Sequence, residues 1–307
     1  MIGPHANAVA RHGEFAQTKS SQALRAGQRE LKAADESTMT TQVPTINADG
    51  AAIPALGFGT WQLRGSACTR AVAAALDIGY RHIDTASAYA NESEVGEALH
   101  AAKLARGEVF ITTKVWTDAL RDGALQRSAE ASLKRLRLDR VDLLLIHWPS
   151  ASVPLRETMG ALCDAKRRGL TSHVGVSNFS ADLVAEAARL ATEPIVTNQC
   201  EYHPHLDQRP LLDACRRLDI AFTAYSPLGR GEVVRDPLVR RIAEAHRRTP
   251  AQVVLRWLVQ QDEVIAIPKA TSPAHIAENF AIFDFALSDM EMQEIFGLAR
   301  RRARASS

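Results

Sequence analysis

Short apolar runs alternate with stretches of helical periodicity along this chain from about residue 43 onward. The run at 141–146 is almost continuously apolar, which is typical of a strand buried on both faces of a parallel sheet. Between the runs, apolar residues recur at helical spacing. Eight strand candidates are predicted in this way: 56–59, 81–84, 109–113, 141–146, 173–177, 195–199, 220–225 and 264–268. Because helical segments separate them, the pattern predicts a closed (β/α)8 barrel rather than an open sheet.

Turn and capping residues mark the ends of several predicted elements. Asp49-Gly50 lies between short β-prone arms within 44–54, which predicts an N-terminal β-hairpin cap. Gly79 can end the helix that carries Val72, Ala75 and Leu76, and Thr249-Pro250 and Ser272-Pro273 each predict a helix start. The segment after the first strand candidate lacks the third glycine of G-x-G-x-x-G, which argues against a Rossmann domain.

Residues 1–40 differ in composition from the rest of the chain. They are rich in Ala, Ser, Gln and charge, poor in aromatic residues, and without a sustained apolar period. Such a segment is expected to be a disordered extension, although translation starting at Met39 is an open alternative. Residues 41–307 are predicted to form a single barrel domain.

Composition indicates the cellular location of the protein and the kinds of partner it can bind. The formal net charge is +2 and no apolar stretch approaches the roughly 20 residues of a membrane span. The cysteines, Cys68, Cys163, Cys200 and Cys215, lack the spacing of a metal site or disulfide framework. We therefore expect a cytoplasmic protein with reduced, buried thiols and no nucleic-acid or membrane partner.

Ionisable residues close three successive strand candidates. Asp84 ends one run, Lys114 the next and His147 the third, while Tyr89 follows Asp84 closely. The C-terminal ends of the strands of a parallel barrel meet at one mouth, so these residues are expected to form one site. Taken singly, Tyr89 is more often a packing tyrosine, His147 a buried histidine, and Asp84 with Lys114 a structural ion pair.

In their local contexts these four residues resemble the catalytic tetrad of the aldo-keto reductases. The resemblance continues through Gly175-Val-Ser-Asn-Phe179, Asn198-Gln199, Tyr225-Ser-Pro-Leu-Gly229 and Ile267-Pro-Lys269, and covers residues 43–295. Among subfamilies the chain is most similar to bacterial 2,5-diketo-D-gluconate reductases of the B type. The resemblance implies a monomeric oxidoreductase that reduces small aldehydes, ketoaldehydes such as methylglyoxal, or diketo sugar acids.

The chemistry of such a reduction assigns a role to each member of the tetrad. Hydride delivery to a carbonyl carbon produces an alkoxide, and Tyr89 is the candidate acid that protonates it. Lys114 is expected to lower the pKa of Tyr89 from its ordinary value near 10, and Asp84 to hold Lys114. His147 would donate a hydrogen bond to the carbonyl oxygen. This chemistry needs no metal.

The resemblance also implies a nicotinamide cofactor that spans the barrel mouth. Tyr225 is the candidate to stack on the nicotinamide, Ser177, Asn178 and Gln199 to bind its carboxamide, and the loop at 226–231 to face the pyrophosphate. Lys269 and the helix that follows form a candidate phosphate site. The further positions assigned to the cofactor are Gly59, Thr60, Trp61, Ser226, Leu228, Gly229, Ala270, His275, Glu278 and Asn279.

Two positions near the candidate phosphate site depart from the family pattern. His275 stands where arginine is common, and Ala270 where serine is common. A neutral histidine binds phosphate less well than the permanently charged fork of arginine. We therefore expect NADPH as the main cofactor, with appreciable use of NADH.

Aromatic residues beyond the strand ends are candidates for the substrate pocket. Trp61, Trp116, Trp148 and Phe179 could form its walls, whereas the spacing of Trp257 predicts packing in a helix. Members of the family that the chain resembles usually carry a tail that helps to close the pocket. This chain ends soon after Phe296 in a run of arginines, so the resemblance implies an open pocket and broad specificity.

Two alternatives stay open at the level of sequence. One is a non-catalytic, cofactor-binding regulatory module of the same fold. The other is a Schiff-base aldolase that uses Lys114 as its nucleophile on a similar barrel.

Overall fold

The computed structural model describes residues 43–305, and their side chains as far as residue 300. The predicted disordered extension over 1–40 and the alternative start at Met39 lie outside the described residues. Within the described part of the chain, no helix is long and apolar enough to cross a membrane.

An antiparallel hairpin comes first along the described chain. Strand β1 (Thr45–Ala48) pairs with β2 (Ala51–Pro54), with Asp49 and Gly50 in the left-handed region at φ 43° and 82°. This confirms the predicted turn, since a two-residue hairpin loop of this type requires positive φ at both positions. The hairpin's Ala48, Ala51 and Ile53 pack with the barrel's inner side chains at the end opposite the strand C-termini.

Eight parallel strands follow and close on themselves, as the alternation of the sequence predicts. They are β3 (Phe58–Gly59), β4 (His82–Asp84), β5 (Phe110–Val115), β6 (Val141–Ile146), β7 (Thr171–Ser177), β8 (Ile195–Glu201), β9 (Ala221–Tyr225) and β10 (Val264–Ala266). The last strand meets the first through an isolated bridge between Leu56 and Ala266. Two backbone hydrogen bonds of 2.9 Å support it, from Gly57 N to Ala266 O and from Ala266 N to Ala55 O. The fold is therefore a (β/α)8 barrel.

The helices cover the outside of the barrel and bury their apolar faces on it. They are α1 (Gly65–Ile78), α2 (Glu92–Ala101), α3 (Ala124–Leu136), α4 (Leu155–Arg167), α5 (Ala181–Leu190), α6 (Arg209–Arg216), α7 (Pro237–His246), α8 (Pro250–Val259), α9 (Pro273–Phe280) and α10 (Asp289–Ala305). Gly79 ends α1 at φ 123°, as predicted, and the side chains of Thr249 and Ser272 cap α8 and α9 by accepting backbone N–H bonds. Trp257 is buried in the core, which confirms its packing role.

Several predicted boundaries were wrong by one or a few residues. Strand β5 continues past 113 through Val115, so Lys114 lies within the strand, paired with Leu145. Helix α2 ends at Ala101, shortly before Lys103 adopts a left-handed conformation at φ 52°. Strand β10 stops at Ala266, since Pro268 has no backbone N–H to continue the ladder. The four cysteines are free and buried, as expected.

Candidate active site

A cleft of about 1010 Å³ opens at the C-terminal ends of the strands. Residues at or just beyond the ends of all eight barrel strands meet there, although they are far apart in sequence. Its walls are Gly59, Trp61, Gln62, Asp84, Ala88, Tyr89, Trp116, His147, Trp148, Ser177, Asn178, Gln199, Tyr225, Ser226, Pro227, Leu228, Arg230, Gly231, Ile267, Pro268 and Lys269. Three members of the predicted tetrad thus lie on the cleft wall, and the fourth, Lys114, lies directly behind them.

The ammonium group of Lys114 is fully buried and has an acceptor for each of its three protons. Its Nζ atom lies 2.5 Å from Asp84 Oδ1, 2.9 Å from the Thr85 carbonyl oxygen and 3.4 Å from Tyr89 Oη. Burial disfavours the charged form, but the neighbouring Asp84 and Tyr89 outweigh it and raise the pKa of Lys114 above its ordinary value. Lys114 is therefore a permanent cation at neutral pH.

Asp84 is held from both sides of its carboxylate and through its main chain. Oδ1 accepts from Lys114, and Oδ2 accepts from Gln199 Nε2 at 2.8 Å. Its carbonyl oxygen accepts from both the amide nitrogen and the hydroxyl of Thr60, at 3.0 and 2.9 Å. Thr60 is itself fully buried and absent from the cleft wall. The hydroxyl of Thr60, which the resemblance assigns to the cofactor, is thus engaged in fixing Asp84.

Tyr89 reaches the cleft from a short 3-10 turn, Ser87–Tyr89, that follows strand β4. Burial raises the pKa of Tyr89, and the opposing influence of Lys114 only partly offsets this effect. Lys114 acts to lower the pKa of Tyr89, as expected, but desolvation of the phenolate is the larger effect and keeps the net pKa above its ordinary value. The hydroxyl is accordingly protonated at neutral pH and available as a donor.

The ring of His147 stands between two aromatic rings at the end of β6. Its centroid lies 5.4 Å from that of Tyr89 and 4.9 Å from that of Trp116, both in edge-to-face geometry. Burial and the charge of Lys114 lower the pKa of His147 to about 3. Nδ1 is buried and has no hydrogen-bond partner among residues 43–305. We therefore assign the single proton to Nε2, because a buried N–H without a partner would cost more than a bare ring nitrogen.

Asn178 links the tetrad to the part of the cleft predicted to hold the nicotinamide. Its Nδ2 donates to the His147 carbonyl oxygen at 2.9 Å and to Ser177 Oγ at 3.0 Å, while its Oδ1 accepts from the Tyr225 hydroxyl at 2.9 Å. Ser177 Oγ donates to the Gln199 carbonyl oxygen at 2.7 Å. These residues line the cleft together, but their mutual hydrogen bonds already use both amide protons of Asn178.

The loop after β9 forms the next part of the cleft wall. Ser226 and Leu228, both assigned to the cofactor from the sequence, line it. Arg230 also lines it, a residue of the glycine-bearing loop that the sequence analysis did not assign a role. The guanidinium of Arg230 lies 5.9 Å from the Trp61 ring on the facing wall. Gly229 is absent from the wall. A side chain there would meet Val233 Cγ2 at 2.7 Å, so this glycine serves close packing.

The candidate phosphate residues divide between the cleft and its surroundings. Lys269 lines the cleft, while Ala270 and Asn279 are buried and absent from its wall. His275 is exposed on the first turn of α9, with its Nδ1 3.5 Å from Glu278 Oε2. Glu278 in turn accepts a 2.6 Å hydrogen bond from Thr249 Oγ1. The His275 side chain is therefore held near a carboxylate at the helix start.

Three tryptophans form the outer wall of the cleft. Trp61, Trp116 and Trp148 are each about two-fifths exposed, at 43%, 38% and 44%. Phe179, predicted as a fourth wall, is buried in the core and absent from the cleft. That prediction was wrong, because the backbone turns left-handed at Asn178, φ 64°, and the next side chain enters the core. Pro227 and Gly231 of the predicted loop also line the wall, as do four residues that the sequence analysis did not assign to the site: Gln62, Ala88, Ile267 and Pro268.

The model of the aldo/keto reductase family matches residues 55–300 of this chain. The chain belongs to the aldo-keto reductase family. This aldo-keto reductase is 41% identical over 255 residues to an aldo-keto reductase of Mycolicibacterium smegmatis, covering 83% of this chain and 92% of the relative. It is thus an enzyme of an NAD(P)H-dependent oxidoreductase class.

Solved structures of aldo-keto reductases resemble this chain over most of its length. A protein provisionally identified as a 2,5-diketo-D-gluconic acid reductase B is 48% identical, with a TM-score of 0.83, covering 84% of this chain and 92% of that chain. An aldo-keto reductase of Bombyx mori, solved in complex with NADP, is 35% identical with a TM-score of 0.78, covering 84% and 93%. The resemblance to B-type reductases drawn from the sequence is confirmed by the first of these.

Proposed function

We propose that this aldo-keto reductase reduces the carbonyl group of small aldehydes, ketoaldehydes of the methylglyoxal kind, or diketo sugar acids, with Tyr89 as the general acid. The single observation that carries the proposal is the contact of the Tyr89 hydroxyl with the buried ammonium of Lys114 at 3.4 Å, at the wall of the cleft. A protonated donor backed by a fixed cation is what protonation of a developing alkoxide requires.

Tyr89 gives up its proton to the alkoxide oxygen and becomes a phenolate. Lys114 then stabilises that phenolate, since its Nζ atom already faces Tyr89 Oη and no charge has to move. Asp84 keeps Lys114 charged and in place through the 2.5 Å contact. The raised pKa of Lys114 supports this division of roles, because a neutral amine could not stabilise an anion.

His147 orients the carbonyl oxygen of the substrate. With its pKa lowered to about 3, the ring is neutral at any physiological pH, and Nε2–H is the donor it offers to the cleft. A neutral donor polarises the carbonyl without competing with Tyr89 as the source of the proton. The edge-to-face contacts with Tyr89 and Trp116 fix the plane of the ring.

The residues of the cleft fit a nicotinamide dinucleotide. The cleft is large, and it offers the partly exposed ring of Tyr225 for stacking, the side chains of Ser177 and Gln199 for the carboxamide, and Lys269 for a phosphate. Arg230 adds a second cation on the same wall. The chemistry that the bound cofactor supplies is a hydride. The chain's own residues hold the cofactor, exclude water and deliver the proton.

NADPH is the cofactor we propose, with appreciable use of NADH. Lys269 and the N-terminus of α9 favour a 2′-phosphate. Opposing this, His275 lacks a permanent charge and its Nδ1 faces Glu278 at 3.5 Å, a carboxylate that would repel the phosphate. Ala270 offers no hydroxyl. On balance we propose a weak preference for NADPH over NADH.

Neither alternative function is favoured by the site. An aldolase nucleophile must be a neutral amine, whereas Lys114 has a raised pKa and donates to three acceptors. A regulatory module would have no need for a proton donor backed by a buried cation. Cytoplasmic location and a monomeric state stay predictions.

Initial rates with methylglyoxal and with 2,5-diketo-D-gluconate, each with NADPH and NADH in parallel, test the proposal. Substrate-dependent oxidation of either cofactor is expected, and the Tyr89→Phe variant should be nearly silent. Tight cofactor binding without turnover on a panel of small aldehydes and ketones would overturn the reductase function and favour the regulatory module.

A further inference from the structure

One of the three acceptors of Lys114 is a main-chain oxygen, that of Thr85. Its position depends on whatever holds the Thr85 backbone. Thr85 N donates to Thr112 O at 2.9 Å on the neighbouring strand, and Thr85 Oγ1 donates to Asn91 Oδ1 at 2.8 Å. Thr85 and Asn91 are both completely buried. The Thr85 hydroxyl thus ties the carbonyl that receives the Lys114 proton to the start of helix α2.

Asn91 extends the connection to the substrate side of the cleft. Its Nδ2 donates to the carbonyl oxygens of Thr60 and Leu63, at 2.8 and 3.1 Å. These two carbonyls flank Trp61 and Gln62, which line the cleft. The loop after β3 that carries them is therefore held by the same amide that holds Thr85. We call this connection, from Thr85 through Asn91 to the carbonyls of Thr60 and Leu63, the Thr85–Asn91 bridge.

We propose that Thr85 and Asn91 are positioning residues. Through one buried bridge they hold the Lys114 ammonium against Tyr89 and also fix the loop after β3, which carries Trp61. The inference rests on the proposed function, and neither residue is on the cleft wall. It is based on the three acceptors of the Lys114 ammonium, which differ in charge and in distance from Nζ. Asp84 is a carboxylate, and its Oδ1 lies 2.5 Å from Lys114 Nζ. The neutral hydroxyl of Tyr89 lies 3.4 Å from the same nitrogen. A displaced Thr85 carbonyl would free the ammonium to move, and the contact to Tyr89, the longest of the three, is the one most easily lost.

Losing this contact has a defined consequence for proton transfer. The phenolate formed at Tyr89 would be less stabilised, so Tyr89 would become a weaker acid. Turnover should fall, and the alkaline limb of the turnover profile, where Tyr89 ionises, should move to higher pH. A residue with a merely structural role would lower stability without moving that limb.

The chain offers a matched control beside the bridge. Glu92, the next residue after Asn91, is buried. It accepts a 2.5 Å hydrogen bond from Thr113 Oγ1 and forms an ion pair with Arg135 at 2.6 Å. Thr113 directly precedes Lys114 in strand β5, and its hydroxyl donates to Glu92, which is not one of the three acceptors of the ammonium. Thr113→Val therefore removes a buried hydroxyl bond to the start of α2 while leaving the bridge intact.

The experiment compares Thr85→Val, Thr85→Ser and Thr113→Val in the full chain. Valine keeps the shape of threonine without its hydroxyl, and serine keeps the hydroxyl. Thr85→Val should lower kcat by about three- to tenfold, the scale of one hydrogen bond, and shift the alkaline limb upward. Thr85→Ser should keep the alkaline limb at the wild-type pH. Thr113→Val should lower the melting temperature without shifting the alkaline limb.

A second measurement does not depend on turnover. The ammonium of Lys114 is buried and fully hydrogen bonded, so its signal should be visible in nitrogen–proton NMR spectra of the lysine ammonium region and can be assigned by its loss in Lys114→Met. The signal should shift and broaden in Thr85→Val and stay unchanged in Thr113→Val. Equal behaviour of the two variants, in both the turnover profile and this signal, would overturn the bridge. An inactive wild type with a signal that responds only to Thr85→Val would instead reject the proposed function and retain the positioning of Lys114.

Discussion

Lys114 Nζ lies 2.5 Å from Asp84 Oδ1, where the Lys114 side chain is inaccessible to solvent and that of Asp84 is nearly so. Each charge has lost its hydration, and each is compensated chiefly by the other. Such a pair contributes little net stability compared with an apolar pair of the same shape. Removing one partner is a different matter, because it leaves a buried charge without its counterion.

Lys114→Met should therefore lower the free energy of unfolding by about 3–5 kcal/mol. The double variant Lys114→Met/Asp84→Asn should recover much of this loss, since no charge is then left unpaired. Both should be inactive, because Tyr89 has lost its cation. Urea denaturation of the wild type and both variants measures the difference. A double variant as unstable as the single one would contradict the account of the pair.

Tyr89→Phe should reduce turnover by about 10²- to 10⁴-fold, the usual contribution of a positioned acid. Cofactor binding should be nearly unchanged, because the lost hydroxyl contacts Lys114. Steady-state rates and a fluorescence titration with NADPH measure the two quantities. Tyr225→Phe is the matched control in the same cleft: its hydroxyl contacts Asn178, and its ring keeps the stacking surface. Comparable turnover losses in the two variants would remove Tyr89 as the acid.

His275→Arg should improve the ratio of kcat/KM for NADPH over NADH by about fivefold to tenfold, on the scale of one charge-assisted hydrogen bond. The gain should shrink as salt is added, since the position is exposed and the interaction is screened. His100→Arg places the same change on an exposed helix end away from the cleft and should leave the ratio alone. An unaltered ratio in His275→Arg would mean that His275 does not face the 2′-phosphate.

Acid should destabilise the fold through two buried neutral histidines. Burial lowers the pKa of His82 to about 4 and that of His147 to about 3, from an ordinary value of 6.5. Below pH 6.5 the unfolded chain binds protons that the folded chain does not, so stability falls with pH until the folded values are reached. Each histidine contributes a slope of about 1.4 kcal/mol per pH unit in that window.

The contribution of His82 can be isolated by substitution. His82→Gln should be less stable than the wild type at pH 7, because the packing around the ring is lost. Its unfolding free energy should also fall less steeply between pH 6.5 and 4. Urea midpoints across this range, with the exposed His100→Gln as a control, measure the slope. Parallel slopes in the wild type and His82→Gln would contradict the assignment of a neutral buried ring.

Elements with a local sequence signal could be predicted, whereas the orientation of some side chains could not. The run of 141–146 and the turn at Asp49-Gly50 carry local signals, and both elements have the predicted bounds. Phe179 carries the same apolar signal as the cleft tryptophans but enters the core, because its orientation is set by the left-handed turn at Asn178. Thr60 looks like a polar residue at the barrel mouth, yet it is occupied in holding Asp84.

The sequence by itself determined the alternation of strands and helices, the family and the identity of the four ionisable residues, since each depends on residue type and spacing alone. Only the tertiary structure decided the balance of forces among them. Desolvation, which depends on what packs around a group, raises the pKa of Tyr89 despite the cation beside it, and keeps His147 neutral. The Thr85–Asn91 bridge is likewise invisible in the sequence, because its hydrogen bonds join the ends of two strands, the loop after one of them and the start of a helix.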